Sequence, residues 1–192
     1  MEIVVGITGA TGVVYAVRLL ECLKNYGVAT HLAVSDWGKK NLKIETPYDI
    51  GTVEKLASFV YDFTDLGAAI SSGSYLTDGM VILPCSMKTL SAVANGYDDN
   101  LISRAASVTL KEGRKLVLCP RESPLSAIQL ENMLKLARLG VRIVPPMPAF
   151  YNNPKSIEDI VENHTMKVLD QFGLSYDGQK RWNGSNDMEG EN

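Results

Sequence analysis

The sequence predicts an α/β protein: one open parallel sheet with helices on both faces, in a single domain. Three observations carry this. Short apolar runs alternate along the whole chain with longer stretches of helical spacing. The runs IVV (3–5) and MVIL (80–83) are apolar throughout rather than alternating, as strands buried on both faces must be. Several runs empty into a Gly- or Ser-bearing turn that opens a helix. The 192 residues, 45% hydrophobic and 21% charged, suit a single core.

Residues 2–8 read as the first strand and lead into the turn Gly9-Ala10-Thr11-Gly12. A helix follows over 13–26, with Leu19, Leu20 and Leu23 on its inner side and Gly27 as its stop. Residues 28–34 form the second strand, closed by Ser35, and 37–45 a helix that Thr46-Pro47 breaks. A further short helix is expected over 51–59, no element is assigned to 62–69, and 71–75 reads as a flexible surface loop without a partner. The central strand is 80–83, ended by Pro84, and the polar turn Cys85 to Thr89 opens a helix over 90–95. Asp98-Asp99-Asn100 caps the helix 101–111, 115–119 is a strand, 120–124 a loop and 125–139 a long helix ended by Gly140. Residues 141–144 make the last strand, the prolines of 145–151 stiffen the loop after it, and 156–172 is the closing helix. The domain is expected over 1–174. Residues 175–192 form a polar, mobile tail in which Arg181-Trp182 offers a docking pair.

Right-handed crossovers put every strand C-terminus on one edge of such a sheet, where ligands bind. That edge collects Gly9 to Gly12, Ser35, Cys85 to Thr89, Arg121-Glu122 and Pro145 to Tyr151. The groups suit phosphate. A helix N-terminus offers free N–H donors and partial positive charge. Ser86 and Thr89 add hydroxyls, Lys88 adds charge, and Arg121 can grip an anion with two parallel bonds. The same residues also fit an ordinary strand-to-helix turn with a serine cap. The spacing of Gly6, Gly9 and Gly12 is not the dinucleotide fingerprint, though it allows close backbone approach to a ligand. From residue types alone, the edge suits an aromatic, phosphorylated ligand beside one candidate acid, Glu122.

Other classes are disfavoured. A net charge of -3 gives no electrostatic footing for nucleic acid or an anionic membrane. No apolar run reaches bilayer length, and the N-terminus starts a strand without the basic region of a signal peptide. Cys22, Cys85 and Cys119 are scattered and odd in number, which fits the reducing cytoplasm. His31 and His164 lie in a strand and a helix interior, so neither a zinc cluster nor a Ser-His-Asp set is expected, and no metal.

The motifs GITGATG, SGSY, PCSMKTLSAVANG, DNLISRAASVTLKEGRKLVL, RESPLS with QLENMLKL, and PPMPAFYNNP occur in order. Together they resemble the UbiX-type flavin prenyltransferases, older names for which were phenolic- or aromatic-acid decarboxylase subunits. The resemblance runs from about Ile3 to Leu174. It implies a Rossmann-like (flavodoxin-like) FMN-binding fold, a homododecamer with FMN between subunits, and no metal. It implies transfer of a dimethylallyl group, usually from dimethylallyl monophosphate, to N5 and C6 of reduced FMN. The product, prenylated FMN, is the cofactor of a separate UbiD-type decarboxylase.

By that resemblance Gly9, Ala10, Thr11, Ser35, Ser86, Met87, Lys88, Thr89 and Arg121 match flavin-site positions. Lys111, Glu122, Tyr151 and Lys167 match positions around the prenyl phosphate, and Glu45 matches another acidic active-site position. The implied catalytic group is Glu122, Lys111, Thr11 and Glu45. Thr11 stands where many members have Ser, and Lys167 where many have Arg, which keeps the charge but loses the planar fork. The chain lacks a histidine before His31 and carries Pro-Cys-Ser-Met-Lys at the central turn, which speaks against oxidative cysteine decarboxylation. Two alternatives stay open here: direct decarboxylation of an aromatic acid, and a non-catalytic flavin carrier.

Overall fold

A computed structural model of the chain describes residues 1–176 and 181. Among these, six strands alternate with seven α-helices: β1 (Glu2–Ile7), α1 (Val13–Asn25), β2 (Ala29–Val34), α2 (Asp36–Glu45), α3 (Ile50–Glu54), β3 (Phe59–Tyr61), β4 (Gly79–Cys85), α4 (Met87–Asn95), α5 (Leu101–Lys111), β5 (Lys115–Pro120), α6 (Ala127–Arg138), β6 (Arg142–Ile143) and α7 (Ile157–Gln171). Every pairing is parallel, in the order β3-β2-β1-β4-β5-β6. This is the order of doubly wound sheets, whose direction of growth reverses between β1 and β4 and leaves a crevice there.

The continuous apolar strands serve two cores. Ile3, Val5 and Ile7 of β1, with Val81 and Leu83 of β4, face α1 and α7. Val4, Met80 and Ile82 point the other way, against α4 and α5. Alternate residues therefore enter opposite cores, and from Ile3 to Ile7 and Met80 to Leu83 no position is left for a polar side chain.

Several expectations need correction. Pro84 does not end the central strand; β4 continues to Cys85 through a register shift after Ile82. Proline lacks the N–H but keeps its carbonyl, and the Pro84 carbonyl accepts from Thr8 N–H at 3.2 Å and from Thr8 Oγ1 at 2.8 Å. Secondly, the short helix stops at Glu54, and Phe59–Tyr61 is an edge strand beside β2. Its aromatic rings stack on the buried His31, with centroids 4.7 Å and 5.8 Å away. That long-range contact overrides local helical spacing. Thirdly, the small-residue loop is held. Arg104 Nε donates to Ser71 O at 3.1 Å, and Arg114 donates to Tyr75 O at 2.8 Å and Gly73 O at 2.6 Å. Fourthly, α4 begins at Met87, three residues earlier than expected, because Ser86 already caps it. The last strand is also shorter than its apolar run, with only Arg142–Ile143 in the ladder. Of the expected docking pair, Arg181 meets Asp170 of α7 at 2.6 Å, and Trp182 lies outside the described residues.

Candidate active site

The crevice between β1 and β4 gathers polar side chains at the sheet's edge. Ser86 adopts an extended backbone ahead of α4 and its Oγ accepts from Thr89 N–H at 3.3 Å. The two hydroxyls lie 3.1 Å apart, and Ser86 N–H donates to Thr8 Oγ1 at 2.8 Å, which ties the end of β1 to the start of α4. The cap takes the third helical amide and leaves those of Met87 and Lys88 pointing outward. Across the crevice Ser35 caps α2, accepting from Gly38 N–H at 3.1 Å. Thr8, Gly9, Ser35, Ser86, Lys88 and Thr89 line one cleft of about 330 Å³. A strand end, two helix N-termini and two cap hydroxyls thus converge on a volume that fits an anionic headgroup.

The cleft has apolar walls that the sequence analysis missed. Trp37 and Phe63 line it, and the Trp37 indole is 62% exposed with Lys40 Nζ 4.3 Å from its ring centre. Gly9 makes this possible: a Cβ there would sit 2.5 Å from Trp37 Cβ. The available signal was an aromatic residue two places after a strand-ending serine, in the first turn of a polar helix.

The remaining expected residues divide into two sets. Ala10 is buried with its carbonyl held by Asn41 Nδ2 at 3.0 Å, and Thr11 is exposed beside it. Met87 packs its side chain against the α4–α5 core, so only its amide faces the crevice. The Lys88 side chain is 76% exposed, with Nζ 3.3 Å from Asp99. Arg121 N–H donates to Cys85 O at 3.2 Å, which places the Arg121-Glu122 loop against the end of β4. Glu122 is exposed and accepts from Ser123 N–H at 3.0 Å rather than pairing with Arg121. Tyr151 is half exposed in the loop that follows β6, the strand two places along the sheet from β4. Glu45, at the end of α2, accepts from Gly12 N–H at 2.8 Å and Val13 N–H at 3.0 Å.

Lys111 and Lys167 do not join this edge within one chain. Lys111 ends the 11-residue α5, about 16 Å of helix away from the edge, and it pairs with Glu112 beside the start of β5. Lys167 lies ten residues into α7, about 15 Å along it, towards Phe172, whose ring stands 5.6 Å from Lys115 Nζ. A single rim holding both lysines with Glu122 is therefore not formed by one copy.

Titratable groups nearby narrow the chemistry. Burial pushes the Cys85 thiol up to about 12 and Cys119 well above its usual range, so neither supplies a thiolate. Burial pulls His164 down to about 4, and its ring packs edge-on against Tyr15 at 5.0 Å as a neutral core group. Among the described residues no cluster of three His, Cys, Asp or Glu side chains offers a metal site. No helix among them is long and apolar enough to cross a membrane.

Comparison with known proteins agrees with this geometry. The Flavoprotein family model matches residues 1–169. The flavin prenyltransferase LpdB of Lactiplantibacillus plantarum is 57% identical over 184 residues, covering 95% of this chain and 98% of that protein. A crystal structure of a dodecameric FMN-dependent UbiX-like decarboxylase from Escherichia coli O157:H7 superposes with a TM-score of 0.95 at 55% identity, over 96% of this chain and 100% of that one. AnUbiX, solved in complex with FMN and dimethylallyl pyrophosphate, gives a TM-score of 0.94 at 48% identity, over 95% and 97% of the two chains. With a phosphate-sized crevice at the reversal of a doubly wound sheet and relatives of this identity over nearly its full length, the chain belongs to the UbiX-type flavin prenyltransferases of the Flavoprotein family.

Proposed function

We propose that the chain transfers a dimethylallyl group from dimethylallyl monophosphate to reduced FMN, forming bonds at N5 and C6 and releasing phosphate. The prenylated FMN would then pass to a UbiD-type decarboxylase. The observation that carries the site assignment is the cleft at the N-terminus of α4, with two free helical amides and the hydroxyls of Thr8, Ser35, Ser86 and Thr89 around it.

In this reading the FMN phosphate sits on the amides of Met87 and Lys88 and the hydroxyls of Ser86, Thr89 and Ser35, with Arg121 closing over it. The backbone of Gly9, Ala10 and Thr11 passes beneath the flavin ring, and Trp37 walls one side. The allylic C–O bond breaks as N5 attacks, so negative charge collects on the departing phosphate. Tyr151 and the two lysines stabilise that charge. When the fourth ring closes, C6 bonds to the tertiary carbon of the prenyl double bond, the neighbouring carbon of that bond takes up a proton and C6 gives one up; Glu122 carries the proton between them.

A second copy supplies Lys111 and Lys167, because one chain holds both away from its own cleft. Two things support assembly: the dodecameric relative, and a row of apolar side chains left in solvent on α6 and the loop after β6. Ile128 is 72% exposed and Phe150 73%, apolar surface that a second copy would cover. The three cysteines are free and buried, which fits the cytoplasm, where reduced flavin is also available.

The test is anaerobic incubation of the purified chain with reduced FMN and dimethylallyl monophosphate, followed by mass spectrometry of the flavin. A gain of one dimethylallyl unit is expected. An unchanged flavin with carbon dioxide released from a phenolic acid would make the chain a decarboxylase in its own right. Tight flavin binding with neither reaction would make it a carrier.

A further inference from the structure

Of the 12 residues of α6, Leu136 alone is buried. Its inner face is narrow: Met133 and Leu136 pack on the α4–α5 core, and Lys135 Nζ donates to Asn95 Oδ1 of α4 at 3.3 Å. On the opposite face Ala127, Glu131, Leu134 and Arg138 recur at spacings of four, three and four, which makes one stripe along a helix, and all four are exposed. Beside this stripe the apolar side chains stay in solvent. Ile128 is 72% exposed, Leu130 50%, Leu134 51% and Leu139 59%. Among the described residues neither Glu131 nor Arg138 has an ion-pair partner within the chain.

The stripe complements itself when reversed. Glu131 stands three residues before Leu134 and Arg138 four after it, about 4.5 Å and about 6 Å along the helix axis. Ile128 stands six before and Leu139 five after, on one flank of the stripe. A second α6 laid antiparallel across this face, with a two-fold axis at Leu134, sets Glu131 of each copy against Arg138 of the other. The same operation sets each Ile128 against the other Leu139. A parallel copy would instead oppose Glu131 to Glu131 and Arg138 to Arg138, which is repulsive.

We propose that α6 is a self-pairing surface, through which two copies of this chain join as antiparallel helices about a two-fold axis at Leu134. The apolar flanks supply the attraction, and the two Glu131–Arg138 pairs fix direction and register. A hollow of about 390 Å³ beside Leu134, Lys135, Arg138 and Leu139 receives Ile128 of the other copy. Such a contact uses the same patch twice and closes on itself. It is separate from the contact that brings Lys111 and Lys167 to a neighbouring cleft, and it does not depend on the flavin chemistry.

The test uses the full chain carrying Leu134→Cys, mildly oxidised and run on a gel without reductant. Position 134 meets itself only across a two-fold axis, and the three native cysteines are buried. The band should move from 21.0 kDa to about twice that mass. Ile128→Cys, which faces Leu139 rather than its own copy, should stay at the mass of one chain. Sedimentation gives a second measurement. Glu131→Arg gathers four cations at the contact and should lower the mass of the assembly by about twofold or more, and adding Arg138→Glu should restore it. A Leu134→Cys chain that stays single, or a double variant no heavier than Glu131→Arg, would overturn the proposal and leave the stripe to a different partner.

Discussion

At the edge where the strands end, Ser35, Ser86 and Thr89 keep hydrogen-bonding capacity to spare, and Arg121 and Glu122 stand in solvent. At the edge where they begin, polar groups are spent. His31 is fully buried and uses both ring nitrogens, one on Tyr61 Oη at 2.9 Å and one on Glu2 at 3.2 Å. Tyr75 reaches the same Glu2 oxygen at 3.2 Å, and Arg114 is committed to two carbonyls. The beginning edge fixes the strands and the 71–75 loop in place. The ending edge leaves donors unsatisfied so that a ligand can satisfy them.

Substitutions should separate the two edges. The largest effect is expected for Glu122→Gln: prenylation slows by at least about a hundredfold while FMN affinity stays within about threefold, as turnover set against flavin titration would show. Equal losses in both would make Glu122 a binding group only. Next, Ser86→Asp brings a negative charge to the α4 seat and should lower FMN affinity by about a hundredfold, yielding colourless protein. Retained yellow colour would remove Ser86 from the cradle. On the other edge, His31→Ala should cost about 2–4 kcal/mol in urea unfolding, through a lost stack and two lost hydrogen bonds. Folded His31→Ala should bind FMN as the parent does; a matching loss of flavin would mean the edges are coupled.

The smallest effect is one of pH, and it belongs to the core between the edges. Folding holds His164 near 4, below its unfolded value of 6.5. Between these values the unfolded chain binds the proton and the folded chain does not. Stability is therefore full above about 6.5 and falls as pH drops towards 4, by about 1–3 kcal/mol in all. His164→Phe should flatten that part of the stability profile, and an unchanged slope would assign it to other groups.

How much of this was legible depended on how far each signal travels along the chain. The apolar runs at 3–5 and 80–83 announce a sheet buried on both faces because burial acts on every residue of a strand. The serine-led turns announce helix starts because a cap works over three residues. Pro84 misled because proline removes a donor but keeps an acceptor, and the Thr8 that uses it lies 76 positions away. Phe59–Tyr61 misled because its stacking partner, His31, is remote in sequence. At the site, Ser35, Ser86 and Thr89 were found because topology alone gathers strand ends. The place of Lys111 was not legible because the matching motif says that a lysine is needed, not where α5 carries it relative to the edge of its own sheet. Trp37 was overlooked because an exposed indole resembles surface until the Gly9 turn is seen pressed against it.

The burial of Cys85 and Cys119 beneath the crevice has a consequence for survival in air. Reduced flavins give up electrons to dioxygen and release peroxide, which attacks thiolates far faster than protonated thiols. These two sulfurs are fully enclosed and held in the thiol form. A protein that handles such a reductant thereby keeps these two thiols out of reach of the by-product.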